Sequence, residues 1–118
     1  SVLAENAEKC FENYNKGEYA AKFMILTFNC TEWMKKNCPG VVHIDDTARP
    51  QIVYEKDNPS FYKILKQIKK IKGLPCVINT SFNMHEEPIV CSPDDAVRAF
   101  LDAKLDYLAI ENFLVFEK

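Results

Sequence analysis

Asn58-Pro59-Ser60-Phe61-Tyr62-Lys63-Ile64-Leu65-Lys66-Gln67-Ile68-Lys69-Lys70-Ile71-Lys72-Gly73, followed by Leu74-Pro75-Cys76-Val77-Ile78 and then Asn79-Thr80-Ser81-Phe82-Asn83, is the stretch that decides the fold class. Asn58 has the short polar side chain of a helix N-cap, and Pro59 suits the first helical position, where no N–H is needed. Phe61, Ile64, Leu65, Ile68 and Ile71 recur at the spacing of one helix face, with lysines between them. Gly73 supplies the left-handed residue that ends a helix. The apolar run from Leu74 to Ile78 then reads as a buried strand, with Pro75 near its start.

Working outward, residues 3–14 read as a helix, because Leu3, Ala7, Cys10, Phe11 and Tyr14 fall on one face between charged residues. Residues 20–28 form an apolar, aromatic-rich strand candidate, and Thr31 caps a short helix through Lys36. Pro39-Gly40 makes a turn, and residues 41–44 and 48–54 read as extended. On the other side, residues 88–91 are a short strand, and Ser92-Pro93-Asp94-Asp95 has the capping-box pattern. Val97, Phe100 and Leu101 are expected to face the core, and residues 106–110 and 113–116 close the chain as strands. No internal repeat, low-complexity tract or linker interrupts this order. The expectation is one α+β domain over residues 1–118, with helices packed on a mostly mixed sheet.

Of the 118 residues, 47% are hydrophobic and 27% charged, which is the balance of a folded globular domain and not of a disordered chain. A net charge of -2 argues against a general nucleic-acid binder, and the cluster Lys66, Lys69, Lys70 and Lys72 reads as a solvated helix face. The five cysteines are odd in number and form no C-x-x-C, so neither a disulfide framework nor a zinc ribbon is expected. Cys76 and Cys91 sit in apolar runs and read as small core residues. No apolar run reaches membrane-spanning length and no signal peptide is visible, so a reducing cytoplasm fits. Ser1 stands where a start methionine would, which suggests an excised piece.

Helix packing leaves two polar stretches to be explained, His43-Ile44-Asp45-Asp46-Thr47-Ala48-Arg49-Pro50-Gln51 and Asn79-Thr80-Ser81-Phe82-Asn83. Each follows an apolar strand candidate, the position at which side chains are held by a sheet yet face a cleft. Pro50 keeps Arg49 extended, and a guanidinium offers paired donors that match phosphate or carboxylate oxygens. The same group could form an ion pair with Asp45, Asp46 or a distant acid. Asn79, Thr80, Ser81 and Asn83 could donate to phosphate or to an amide, or equally satisfy the backbone of a turn. His43, Asp45, Asp46, His85, Glu86 and Glu87 could bind a divalent cation, though a solvated surface is the plainer reading and no protein metal site is assigned. With glycine only at positions 17, 40 and 73, neither G-x-x-x-x-G-K-[ST] nor G-x-G-x-x-G is present.

These stretches resemble a known family. The segment from His43 to Gln51 resembles H-V-D-G-T-A-R-x-Q, and Asn79 to Val90 resembles N-T-S-F-N-x-x-x-E-P-I-V. Ser92-Pro93-Asp94-Asp95-Ala96 resembles S/T-P-x-D-A, and the closing residues resemble G-L-D-x-L-x-x-x-x-x-L-V, with Lys104 in place of the glycine. The family is the NodU/CmcH-type carbamoyltransferases of nodulation-factor and antibiotic biosynthesis, and the likeness covers nearly the whole chain.

The resemblance implies the later portion of a YrdC-like C-terminal domain that binds ATP and carbamoyl phosphate and makes carbamoyl-adenylate. An ASKHA-like, metal-containing N-terminal domain would then pass the carbamoyl group to a hydroxyl acceptor. It implies that Arg49 grips phosphate, that Ser81 contacts phosphate or the carbamoyl group, and that His43, Asn79, Thr80 and Asn83 shape the same site. The family's K-x-R-E-P-F-R-P-F-A-P stretch, with its phosphate-binding Lys and Arg, precedes the matched region, so the fragment alone is expected to lack turnover. Asp46 stands for a glycine and His85-Glu86 for Arg-Gly, adding negative charge beside a polyanion site. Either they point away or magnesium intervenes. The rival expectations are a non-catalytic docking module and, disfavoured by charge, a YrdC-like RNA binder; neither membrane nor nucleic-acid partners are expected.

Overall fold

The computed structural model describes residues 1–117. The chain divides into two compact units, Ser1–Asn79 and Thr80–Lys118, and both mix helix and strand. The α+β class therefore holds.

The first unit runs β1 (Val2–Leu3), α1 (Ala7–Cys10), α2 (Glu18–Ala21), β2 (Phe28–Asn29), α3 (Glu32–Asn37), β3 (Thr47–Ala48), β4 (Ile52–Val53) and α4 (Pro59–Lys72), with 3-10 turns at Ala4–Asn6, Tyr14–Gly17 and Pro39–Val41. Its centre is β1. Val2 and Leu3 pair in parallel with Ile52 and Val53 of β4. On the opposite edge Val2 bridges Cys76 in antiparallel fashion, with Leu3 N–H donating to the Pro75 carbonyl at 3.1 Å and Val77 N–H to that of Ser1 at 3.0 Å. A third pair is antiparallel, Phe28 opposite Ala48 and Asn29 opposite Thr47. The strands thus form short ladders instead of the single broad sheet read from the sequence, with the helices packed on them.

The best-signalled helices form as their chemistry dictates. Asn58 Oδ1 accepts from Phe61 N–H at 3.1 Å, Pro59 opens α4, and Gly73 closes it at φ 75°. Thr31 caps α3 by accepting from Met34 N–H at 3.2 Å. Only one stripe of α4 is buried: Leu65 fully and Phe61 and Ile68 in part, while Ile64 and Ile71 stay exposed. Lys66 pairs with Glu5 at 3.1 Å and Lys69 donates to Asn6 Oδ1 at 2.9 Å, so part of the basic cluster stitches α4 to the N-terminal segment.

Four expectations are corrected in this unit. The run from Leu74 to Ile78 is not a buried strand: it joins β1 through the single Cys76 bridge, and Ile78 is exposed. The helix over residues 3–14 shrinks to a 3-10 turn and α1, because Val2 and Leu3 are drawn into the central strand and Phe11 turns extended to bridge Cys30. Of residues 20–28 only Phe28 is strand, as the first residue of β2. Ala20 and Ala21 complete α2, where alanine favours helix, and Tyr19 meets Phe23 one turn on at 5.4 Å between ring centroids. Residues 41–44 leave a 3-10 turn and enter a tight turn, so Ile44 is fully exposed.

The second unit holds α5 (Pro93–Asp102) and the hairpin β5 (Leu108–Ile110) and β6 (Phe113–Val115), with Ala109 opposite Leu114. The capping box is complete: Ser92 Oγ accepts from Asp95 N–H at 3.1 Å, and Asp95 Oδ2 accepts from Ser92 N–H at 3.2 Å. Its core is Ala96, Phe100 and Leu108. Val97 and Leu101, expected inside, lie on the outer side of α5, and Cys91 is exposed instead of core. Residues 88–91 form no strand, although Val90 N–H donates to the Phe82 carbonyl at 3.0 Å.

Candidate functional site

The first unit contains a cleft of ≈ 240 Å³ lined by His43, Arg49, Cys76 and Asn79, among others. Short strands place each of these groups. Arg49 stands in the break between β3 and β4, beside the buried Pro50. Cys76 and Asn79 come from the extended run beyond α4 that pairs with β1. His43 opens the turn that leads into β3. Three of the six residues singled out from the sequence, His43, Arg49 and Asn79, therefore meet in one hollow.

Arg49 is exposed, and among the described residues no carboxylate approaches its guanidinium within 4.0 Å. The two acids proposed as its partners are committed elsewhere. Asp46 pairs with Lys35 at 3.0 Å, and Asp45 accepts from both the N–H and the hydroxyl of Thr47, at 3.1 and 2.7 Å. The Thr47 hydroxyl, then its N–H, holds the Asp45 carboxyl below the ordinary range. A carboxylate only accepts, so the Thr47 proton goes to Asp45 and the Thr47 oxygen must accept from His43 Nδ1 at 3.1 Å. That order puts a proton on Nδ1 and leaves Nε2 as the other functional nitrogen of the ring.

Asn79 is held the same way. Its amide nitrogen donates to Gln51 Oε1 at 2.9 Å and to Met24 Sδ at 3.7 Å, and Ser1 Oγ donates to the same Gln51 oxygen at 2.6 Å. Both amide hydrogens are used, which leaves the carbonyl oxygen to accept from a ligand N–H. Thr47 and Gln51 are positioning residues that the sequence reading quoted inside a motif but gave no role. Their signal was only their place in it.

Thr80, Ser81 and Asn83 belong to the second unit. Thr80 and Ser81 are exposed. Asn83 donates from its amide to the Met84 carbonyl at 2.9 Å and to that of Glu87 at 3.0 Å, so it shapes the loop. Glu87 in turn holds Arg98 of α5 through paired contacts of 3.1 and 3.0 Å. His85 and Glu86 are almost fully exposed. Among the described residues no three His, Cys, Asp or Glu side chains are grouped to hold a metal ion.

The departures from the family pattern have a backbone reason. Asp46 has φ 65°, Glu86 φ 65° and Lys104 φ 51°, all in the left-handed region where glycine is unstrained. These are the three positions at which the resemblance calls for glycine. Lys104 also ends α5, with Leu105 N–H donating to the Phe100 carbonyl at 3.2 Å. Restoring glycine should relieve about 1 kcal/mol of strain per site, offset in part by unfolded-state entropy. Glu86→Gly and Lys104→Gly are each expected to gain a few tenths to about 1 kcal/mol in urea unfolding. Asp46→Gly should change little, because aspartate tolerates this conformation and the exposed Lys35 pair is lost.

Buried thiols lie close to the cleft. Burial pushes the Cys10 thiol up to about 12, and burial together with Cys38 pushes Cys76 up to about 12. Folding therefore favours the neutral thiols, whose unfolded value is near 9.0. Stability should be intact below pH 9.0 and fall as the pH rises towards about 12, while unfolded thiols ionise and folded ones do not. Tyr54, raised by burial and by Glu18, acts in the same direction. Melting temperatures measured across that window in reductant check this, and a flat profile would mean the thiols are solvated.

A guanidinium with no carboxylate partner among the described residues, an oriented imidazole and an amide carbonyl thus line one hollow. The chain belongs to the carbamoyltransferase C-terminus family, which it matches over residues 1–117. It is 45% identical over 118 residues to an uncharacterised protein of Methanocaldococcus jannaschii, covering 100% of this chain and 19% of that one. It is 38% identical over 115 residues to the nodulation protein NolO of Bradyrhizobium diazoefficiens, covering 98% of this chain and 21% of the other. For the nodulation protein NolNO of Sinorhizobium fredii the identity is 36%, with 98% and 17% covered. The chain thus spans about a fifth of the length of these relatives. No helix among the described residues is long and apolar enough to cross a membrane.

Proposed function

We propose that this chain is the substrate-binding portion of an ATP-dependent O-carbamoyltransferase and that the His43–Arg49–Asn79 cleft receives carbamoyl phosphate. The observation that carries this reading is that the Arg49 guanidinium and the Asn79 side-chain carbonyl, neither with a protein partner among the described residues, share one hollow. One end of carbamoyl phosphate is a phosphate dianion and the other an amide. Arg49 suits the first and the Asn79 oxygen the second. At ≈ 240 Å³ the cleft is smaller than the roughly 300–1,000 Å³ of sites that enclose drug-sized ligands, so most of a nucleotide would lie outside it.

In the reaction proposed for the whole protein, carbamoyl phosphate first loses its phosphate to water. A carbamate oxygen then attacks the α-phosphorus of ATP, the bond to the β-phosphate oxygen breaks, and pyrophosphate leaves. The carbamoyl-adenylate so formed passes its carbamoyl group to a hydroxyl of a sugar-like or polyol acceptor, releasing AMP. In this region catalysis is positioning and charge neutralisation: Arg49 offsets phosphate charge, while Thr47 and Gln51 keep His43 and Asn79 in place. Magnesium, carried by the nucleotide's own oxygens, needs no protein cage.

A few charge-assisted contacts correspond to affinity near the millimolar range. Titration of the labelled chain with carbamoyl phosphate and, separately, ATP tests the proposal, with the expected shifts at Arg49 and Asn79 amides. Silence of both at millimolar ligand would end it.

A second reading, a non-catalytic docking module, is favoured by the exposed Tyr107, Phe113, Leu114 and Phe116 of the hairpin region. Under that reading, charged substitutions at Leu114 disrupt assembly with the rest of the carbamoyltransferase while Arg49 variants do not.

A further inference from the structure

Cys38 and Cys76 lie far apart in sequence and match no spacing motif, yet Cys76 Sγ–H donates to Cys38 Sγ across 3.5 Å. All five cysteines are free thiols. Cys76 is half-buried and lines the cleft. Cys38 is buried at the end of α3, directly before the Pro39–Val41 turn, and Gly40, Val41, Val42 and His43 line the cleft. The two sulfurs therefore join the two walls of the hollow that hold His43 and Asn79.

We propose that Cys38 and Cys76 are an oxidation site: a dithiol in the cleft wall that closes to a reversible disulfide when a peroxide enters the cleft. A disulfide needs about 2.05 Å between sulfurs, so closure asks for about 1.5 Å of movement. Cys76 is fixed by its bridge to Val2, whereas Cys38 lies in irregular backbone at φ -131° and ψ 47°, so Cys38 is the side that yields. In the first step the Cys76 sulfur, as thiolate, attacks one peroxide oxygen. The O–O bond breaks, giving Cys76 sulfenic acid and hydroxide, which takes up the thiol proton as water. Cys38 sulfur then attacks the Cys76 sulfur, the S–O bond breaks, and a second water leaves. Two thiols and one peroxide thus become one disulfide and two waters. Burial keeps the Cys76 thiol largely protonated, so the reaction is slow, and the pair serves as a site of sustained exposure to oxidant.

The other cysteines set the specificity of the test. Cys91 is the exposed thiol and the first that any oxidant meets, but it lies beside Asp95 and has no sulfur partner among the described residues. The full chain is reduced, exposed to hydrogen peroxide, blocked with a thiol reagent under denaturing conditions and digested without reductant. The expected product is a linked peptide pair containing Cys38 and Cys76, with loss of two hydrogens and full reversal by dithiothreitol. The oxidised chain should also melt at least about 5 °C higher, since the cross-link closes a long loop. Cys91→Ser should leave the link unchanged, while Cys38→Ser and Cys76→Ser should each abolish it. If either serine variant fails to fold, mapping of the wild-type chain decides alone. Recovery of both thiols in blocked form, or a link that pairs Cys76 with Cys10, overturns the proposal. None of these readouts depends on which ligand the cleft takes.

Discussion

Arg49→Met is expected to weaken carbamoyl phosphate binding by about 10- to 100-fold while leaving the melting temperature nearly unchanged. The binding term follows from a charge-assisted hydrogen bond, about 1.5–3 kcal/mol, with about 1.4 kcal/mol per factor of ten. The absent stability cost follows from the structure. The guanidinium is exposed and lacks a carboxylate partner among the described residues, so its removal strands no buried charge. Methionine keeps the length and apolar stem of the side chain, so the lost packing is small. Arg49→Lys separates charge from shape: it keeps the cation but lacks the planar fork, and its affinity should fall between the other two. Isothermal titration of the three proteins at fixed ionic strength, beside their melts, is the measurement. Equal affinities for wild type and Arg49→Met would remove the cleft from the reaction.

The same residue shows what a single sequence discloses. Arg49 could be singled out because a proline-restrained guanidinium among small polar residues has few purposes, and whether it pairs with Asp45 or Asp46 turned on where those two acids point. That is a tertiary question. It was answered by Lys35 and Thr47, neither of which stands out in the chain. The capped elements were legible because their signals are local: Asn58-Pro59 with Gly73, Thr31, and the Ser92–Asp95 box each satisfy backbone groups within a turn of themselves. The short strands were not. Val2-Leu3 has the periodicity of the helix that follows it, and only pairing with Ile52-Val53 and Cys76 makes it the centre of a sheet. The Gln51 clamp on Asn79 and the Cys38–Cys76 contact join residues far apart in the chain, and no spacing rule reaches them.

Leu65→Ala should have the largest effect on stability, a loss of about 2–5 kcal/mol. Leu65 is the one fully buried side chain of α4, and it packs against Leu3 of β1 and Val53 of β4, with Phe61, Tyr62 and Val77 around them. Truncation removes the side chain that joins the helix to the central ladder, and the surrounding backbone is too constrained to fill the void. Phe61 and Tyr62 are fixed by the Asn58 cap and the Tyr62–Glu5 hydrogen bond of 3.1 Å, and Leu3 by its pairing on both edges. A domain of this size has about 5–15 kcal/mol in total, so the loss is a large fraction of it. Leu65→Met, which keeps the volume, should cost under about 1.5 kcal/mol, and Ile71→Ala on the exposed side of the same helix under about 0.5 kcal/mol. The effect should reach the cleft as well. β1 is the strand to which both β4, next to Arg49, and the run carrying Cys76 and Asn79 are bonded, so loosening its support lets those two walls drift apart. Urea unfolding of the three variants gives the stabilities, and carbamoyl phosphate titration of whichever Leu65→Ala protein remains folded gives the second readout. A loss below about 1 kcal/mol would mean that α4 is not held by this contact.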